Sequence, residues 1–222
     1  MPTTVLASLK DLPALVWALV AAAYLLGSVP FGLVLARWVK GIDLRQFGSG
    51  NIGTTNAIRA LGRKWGYFVF ALDFLKGFLP VLACVWLVGD PHARILAQVL
   101  IATAAVVGHC FSIYLRFGGG KGVATGCGAI VAMDPLVFVC GGLVWLLTRA
   151  FTGYSGLSSI LMGLAFPIAV WVREGPRALL IGASLLCLLI LVRHRSNIQR
   201  MLAGTEPRAG RKPSNPDAPT HG

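Results

Sequence analysis

Acidic side chains are scarce in this chain: 8 aspartates and glutamates stand against 20 lysines and arginines, for a formal net charge of +12. Charge of either sign is thin as well, at 13% of 222 residues, while 56% are hydrophobic. Mean hydropathy is +0.74. That balance excludes an ordinary soluble domain and defines an integral membrane protein. The five cysteines, Cys84, Cys110, Cys127, Cys140 and Cys187, show no CxxC spacing and mostly lie in apolar runs. There free cysteine behaves as a small hydrophobe, so neither a metal site nor a disulfide framework is expected. Nucleic-acid motifs are missing too. The basic residues flank apolar runs, where anionic headgroups and the positive-inside bias account for them, so no nucleic-acid partner is expected. Residues 1–11 lack the charged start and small-residue cleavage site of a signal peptide, so the first apolar segment should stay as an anchor. The stretch 207–222 carries four prolines in sixteen residues and reads as a disordered basic tail.

What is present is a series of apolar runs at 12–36, 66–88, 94–115, 122–148, 155–172 and 177–193, judged against the about 20 residues that cross a bilayer as helix. Charge argues against that even count. The segment 37–64 holds Arg37, Lys40, Arg45, Arg59, Arg63 and Lys64, and the C-terminal part holds Arg193, Arg195, Arg200, Arg208, Arg211 and Lys212. Both should be cytoplasmic, which places the N-terminus outside, the C-terminus in the cytoplasm, and requires an odd number of crossings. Asp134-Pro135 divides the fourth run, because proline disfavours helix at the residue before it and aspartate suits a turn. The halves are 119–133 and 135–150, the first thin or re-entrant and tolerated only if packed within protein. The expected fold is an all-α integral membrane protein of about seven transmembrane helices, some short or re-entrant, with residues 1–206 as one polytopic domain.

Three polar, glycine-bearing segments interrupt this scaffold: GSGNIGTTNAIR at 48–59, GHCFSIYLRFGGGKGVAT at 108–125 and RHRSNIQRMLAGTE at 193–206. Small residues that let backbone amides approach an anion sit beside fixed cations in each, a composition suited to phosphate. The first contains GxGxxG, yet no strand precedes it and no βαβ unit can be drawn, so dinucleotide binding is excluded. Its Gly48, Gly50 and Gly53 free the backbone, Ser49 and Asn51 supply side-chain donors, and Arg59 can grip phosphate bidentately. The bland alternative is a glycine turn with capping side chains. FGGGKG lacks the magnesium-binding hydroxyl of a P-loop, since Gly122 follows Lys121. A cation inside an apolar segment costs roughly 2.5–3.5 kcal/mol and marks function, unless it snorkels. His109 is a candidate base or donor. In the third segment His194, Asn197 and Met201 share a helix face with Arg200 beside it, and Glu206 follows. Standing alone, that segment would read as a basic interfacial helix. Asp73 and Lys76, three apart in ALDFLKGF, read as a structural pair that neutralises itself.

Taken together, the three segments resemble the signature of the bacterial membrane acyl-phosphate:glycerol-3-phosphate acyltransferases, the PlsY family, over about Gly27 to Glu206. The resemblance implies transfer of a fatty acyl group from acyl phosphate to the sn-1 hydroxyl of glycerol 3-phosphate, giving lysophosphatidic acid. It implies no metal or cofactor, a seven-helix protein of the bacterial inner membrane with motifs facing the cytoplasm, and a functional link to a peripheral acyl-phosphate synthase. Family catalytic positions fall on Ser49, Arg59, Lys121, His194, Asn197 and Glu206. Substrate-binding positions fall on Gly48, Gly50, Asn51, Gly53, Asn56, His109, Gly119, Gly120, Gly122 and Ser159. The chain departs from the family pattern at Ser112, Gly118 and Gly156. Neither a Ser-His-Asp set nor an HxxxxD pattern at His92, His109 or His194 is present, so acyl transfer through those arrangements is not expected. The competing class is a transporter or flippase for a phosphorylated metabolite or lipid, which glycine breaks in short spans would also suit.

Overall fold

Backbone polar groups in a bilayer must be satisfied within the segment, so long apolar stretches of this composition fold as helix. The structure is a computed structural model and describes Leu9 and residues 12–208; the rest of the expected tail and most of the N-terminal segment lie outside the described residues. Among the described residues no strand occurs. The first pass consists of α1 (Ala14–Ser28) and α2 (Phe31–Lys40), broken at Val29-Pro30, and is followed by the short α3 (Thr54–Leu61). Then come α4 (Arg63–Leu87), α5 (Pro91–Cys110), α6 (Val123–Met133), α7 (Pro135–Thr152), α8 (Ser155–Val172), α9 (Arg177–Arg193) and α10 (Arg195–Leu202).

Five stretches are long and apolar enough to cross a membrane, and α9 with α10, bent by 53°, makes a sixth if read as one span. The expected break falls at Asp134-Pro135. Asp134 accepts from the Leu136 and Val137 amides at 3.0 and 3.1 Å, and Pro135 opens α7 where a missing N–H costs nothing. The 11 residues of α6 span about 16 Å at the helical rise, roughly half the about 30 Å hydrocarbon core. Its residues 124–130 are buried, as a short intramembrane helix requires. α6 leads the chain from Gly122 to Asp134, which pairs with Arg173 beyond α8.

Small residues set the closest approaches. A Cβ on Gly27 would lie 2.2 Å from the Ala105 carbonyl oxygen, and one on Gly108 2.3 Å from that of Tyr24, so α1 and α5 pack backbone to backbone. Asp73 and Lys76 of α4 form an ion pair at 2.7 Å, each 2% exposed. Lys76 also donates to the Val29 carbonyl at 2.9 Å, at the break between α1 and α2. One end of the bundle carries the links 87–91, 133–135 and 172–177, where Arg173 pairs with Asp134. The other end gathers the segments 41–62, 111–122, 152–155 and 193–208.

Candidate active site

At that second end the first polar loop is organised by Asn56, which is 1% exposed. Its amide donates to the carbonyls of Leu44, Phe47 and Asn51 at 3.0, 2.8 and 2.9 Å and accepts from the Ser49 N–H at 3.1 Å. Gly48 and Gly50 take φ of 56° and 67°, a region side chains disfavour, which turns the loop back on Asn56. Asn51 accepts from the Gly53 amide at 2.8 Å and thereby closes the turn into α3. The Asn56 amide is thus engaged within the loop itself. Ser49 and Arg59 are exposed, and no carboxylate pairs with Arg59 among the described residues.

The second loop is built against the end of α5. Gly120 donates to the His109 carbonyl at 3.0 Å, and Ser112 donates its N–H to the Gly118 carbonyl at 2.9 Å. No side chain fits at Gly119 or Gly120: a Cβ would lie 2.3 Å from the His109 carbonyl oxygen in the first case and 2.0 Å from His109 Nε2 in the second. His109 is 4% exposed and its Nδ1 lies 3.6 Å from Asp73 Oδ1, so the imidazole is lodged between the buried ion pair and Gly120. From there it supports the loop from behind. From the other side Arg193 donates to the carbonyls of Gly119 and Gly120 at 2.8 and 3.0 Å while its guanidinium lies 5.1 Å from the Phe111 ring centroid. Gly122, at φ 79°, leads into α6.

Lys121 projects from this loop and joins the third segment. Its ammonium donates to Asn197 Oδ1; Asn197 Nδ2 donates to Glu206 Oε1 at 2.6 Å; Arg200 Nε donates to Glu206 Oε2 at 2.7 Å. Asn197 is backed by Gly156, where a Cβ would lie 2.7 Å from Asn197 Nδ2. His194, 2% exposed, points Nδ1 at the Ile190 carbonyl at 2.8 Å, which fixes the proton on Nδ1 and leaves Nε2 as an acceptor. Ser159 donates to the Ser155 carbonyl at 2.9 Å and accepts from Trp145 Nε1 at 3.3 Å, so its hydroxyl is engaged between α7 and α8. Burial lowers the Lys121 ammonium to about 8, against the upward pull of Glu206, while Arg200, Arg193 and Arg59 push further down. Among the charges that act on Lys121 is thus Arg59, from the first polar segment.

Lys121, Asn197, Arg200 and Glu206 form one connected group, with His194 at the start of the helix that carries Asn197 and Arg200; Ser49 and Arg59 lie exposed on the first polar segment. Sequence reading passed over Tyr154, took Gly156 only as a departure from the family pattern, and counted Arg208 only among the basic residues. Arg193 had counted only as one more basic residue at a span end, although its place directly before His194 was the available signal.

Fold and site together define a multi-pass membrane protein with an amide- and cation-lined site at one end of its bundle. The family model described as glycerol-3-phosphate acyltransferase matches residues 17–204. A glycerol-3-phosphate acyltransferase of Anaeromyxobacter sp. (strain Fw109-5) is 44% identical over 192 residues, 86% of this chain and 94% of that relative. The crystal structure of PlsY, an integral membrane glycerol 3-phosphate acyltransferase, in its glycerol 3-phosphate form matches with a TM-score of 0.83 at 43% identity, covering 88% of this chain and 96% of that one. Its lysophosphatidic acid form matches with a TM-score of 0.80 at 42% identity, covering 87% and 94%. The chain belongs to this glycerol-3-phosphate acyltransferase family, and it is a membrane-embedded acyltransferase.

Proposed function

We propose that the protein transfers a fatty acyl group from an acyl phosphate to the sn-1 hydroxyl of glycerol 3-phosphate, releasing lysophosphatidic acid and inorganic phosphate. The observation that carries this reading is the bonded chain from Lys121 through Asn197 to Glu206 and Arg200, set beside a glycine loop. Solved relatives described as glycerol 3-phosphate and lysophosphatidic acid forms correspond to acceptor and product of such a transfer.

Lys121 and Arg59 bind the phosphate groups, aided by backbone amides of Gly48 to Gly53 and Gly119 to Gly122, and stabilise charge as the acyl–phosphate bond breaks. Ser49 and Asn197 orient the glycerol hydroxyls, with Glu206 acting through Asn197. The hydroxyl oxygen attacks the acyl carbon, the ester C–O bond forms, and the carbonyl-to-phosphate C–O bond breaks. The hydroxyl proton passes to His194 Nε2 or to the departing phosphate. An acyl phosphate already carries a good leaving group, so the reaction calls for neither a covalent acyl-enzyme nor a cofactor.

The same reading sets the protein in a bacterial inner membrane with this end in the cytoplasm. Arg37, Lys40, Arg45, Arg63 and Lys64 share it with the cations after α9, as the positive-inside bias favours. A peripheral acyl-phosphate synthase would supply the donor. The test is product formation by purified protein in detergent, with acyl phosphate, acyl-CoA or acyl-carrier protein as donor and Lys121→Ala as control. Lysophosphatidic acid from acyl phosphate alone, lost in well-folded Lys121→Ala, is expected. No product with any donor from folded protein would favour the transporter reading.

A further inference from the structure

The segment after α10 turns back toward the site. Gly204 adopts φ 69°, and the amides of Thr205 and Glu206 both donate to the Arg200 carbonyl, at 2.8 and 3.1 Å. This is a Schellman-type helix end, in which a left-handed glycine lets the chain reverse and satisfies a terminal carbonyl. The reversal brings the Glu206 carboxylate, 6% exposed, onto Asn197 and Arg200. A reversal alone would leave the segment hinged at Gly204. Its other end is tied down. Arg208 Nε donates to the Tyr154 hydroxyl at 3.1 Å while the guanidinium lies 5.1 Å from the centroid of the same ring. The Arg208 side chain also runs past Gly153, where even a Cβ would lie 3.5 Å away.

We propose that Arg208 and Tyr154 form a clasp that fastens the segment 203–208 over the site and so holds Glu206 against Asn197. Both are positioning residues. They touch no reacting atom, lie at the junction of α7 and α8, and act on Asn197 through Glu206. Tyr154 stands two residues before Gly156, whose missing side chain makes room for Asn197, so the junction bounds Asn197 from behind and the clasped segment bounds it in front. Arg208 also lies beyond the matched span 17–204. The clasp suits arginine rather than lysine, since one planar group both stacks on the ring and donates to its hydroxyl.

The inference rests on the proposed transfer for its kinetic readout and on amide exchange for an independent one. Arg208→Ala and Tyr154→Leu should each lower kcat/KM for glycerol 3-phosphate by about threefold to tenfold, leaving the KM for acyl phosphate unchanged. Their double variant should be no worse than either single, because one contact is removed in all three. Tyr154→Phe, which keeps the ring and loses the acceptor, should fall between, and Arg208→Lys should restore part of the loss. In hydrogen exchange, the Thr205 and Glu206 amides should open faster in Arg208→Ala than in the wild type, with or without turnover. Additive losses, equal damage toward both substrates, or unchanged exchange would each overturn the clasp. If the wild type makes no lysophosphatidic acid, the transfer reading falls by itself and the exchange result alone decides the clasp.

Discussion

Lys121 is the charge at the site most easily lost, because its ammonium is held at about 8 by burial, whereas arginines keep their protons throughout. The free enzyme should therefore lose affinity for phosphate as pH rises through about 8. On the acid side the substrate phosphate reaches its full charge above about 6, so kcat/KM for glycerol 3-phosphate should follow a bell between the two. The limb in kcat should lie higher, since a bound phosphate dianion favours the protonated lysine. Glu206 raises the Lys121 value. Glu206→Gln should then move the alkaline limb of kcat/KM to lower pH, whatever it does to the height of the profile. A limb that stays in place would show that another group sets it. At this scale the sequence was a fair guide to residue type and a poor one to assignment. Lys121, Asn197 and Glu206 could be picked out as polar residues beside apolar runs. Nothing in the string showed that Asn56 spends its amide on Leu44, Phe47 and Asn51, or that His109 faces Asp73 instead of solvent. Which polar groups the backbone consumes is decided by long-range packing.

Among the elements, the loop between α5 and α6 is gripped from two directions, by the His109 ring and carbonyl on one side and by the Arg193 guanidinium on the other. Glycine is required here by space: the atoms nearest a Cβ on Gly120 all belong to the His109 ring. Gly120→Ala should therefore displace the loop and Lys121 with it, lowering kcat/KM by about tenfold or more in protein that still folds. His109→Ala removes the obstructing ring, so the double variant should regain part of that activity while remaining below wild type for want of the ring's support. Steady-state kinetics on the three proteins decides it. A double variant worse than Gly120→Ala alone would assign the glycine a role other than clearance. Element boundaries were readable wherever a local signal existed. Asp134-Pro135 announced the start of α7, and Asp90-Pro91 starts α5 the same way, with Asp90 accepting from the Ala93 amide at 2.7 Å. The separate helix α3 was not foreseen, since eight residues give too few turns for a periodic pattern to stand out.

For the whole molecule, an even count of apolar runs conflicts with the distribution of lysine and arginine, and counting α6 as a crossing would remove the conflict. Although only 11 residues long, α6 carries the chain from Lys121 at the site to Asp134, which is paired with Arg173 at the opposite end. Its buried residues let it do so without exposing backbone to lipid. Were α6 absent as a pass, α7, α8 and α9 would run reversed, and the Arg193 to Glu206 segment would meet the other end of the bundle. The geometry of Lys121 against Asn197 thus depends on the direction of α6, and the proposed sidedness depends on its being a crossing. Gly89 offers a probe of one end: it is exposed, and a Cβ there meets nothing within 4 Å. Ala203, exposed beside Glu206, probes the other. In intact spheroplasts a membrane-impermeant thiol reagent should label Gly89→Cys at once and Ala203→Cys only after permeabilisation, with the wild-type protein correcting for its own cysteines. The reverse order would put the site outside and sever it from a cytoplasmic acyl donor. Equal labelling before permeabilisation would mean that both ends of the bundle face the same compartment, which an odd number of membrane crossings between them does not allow.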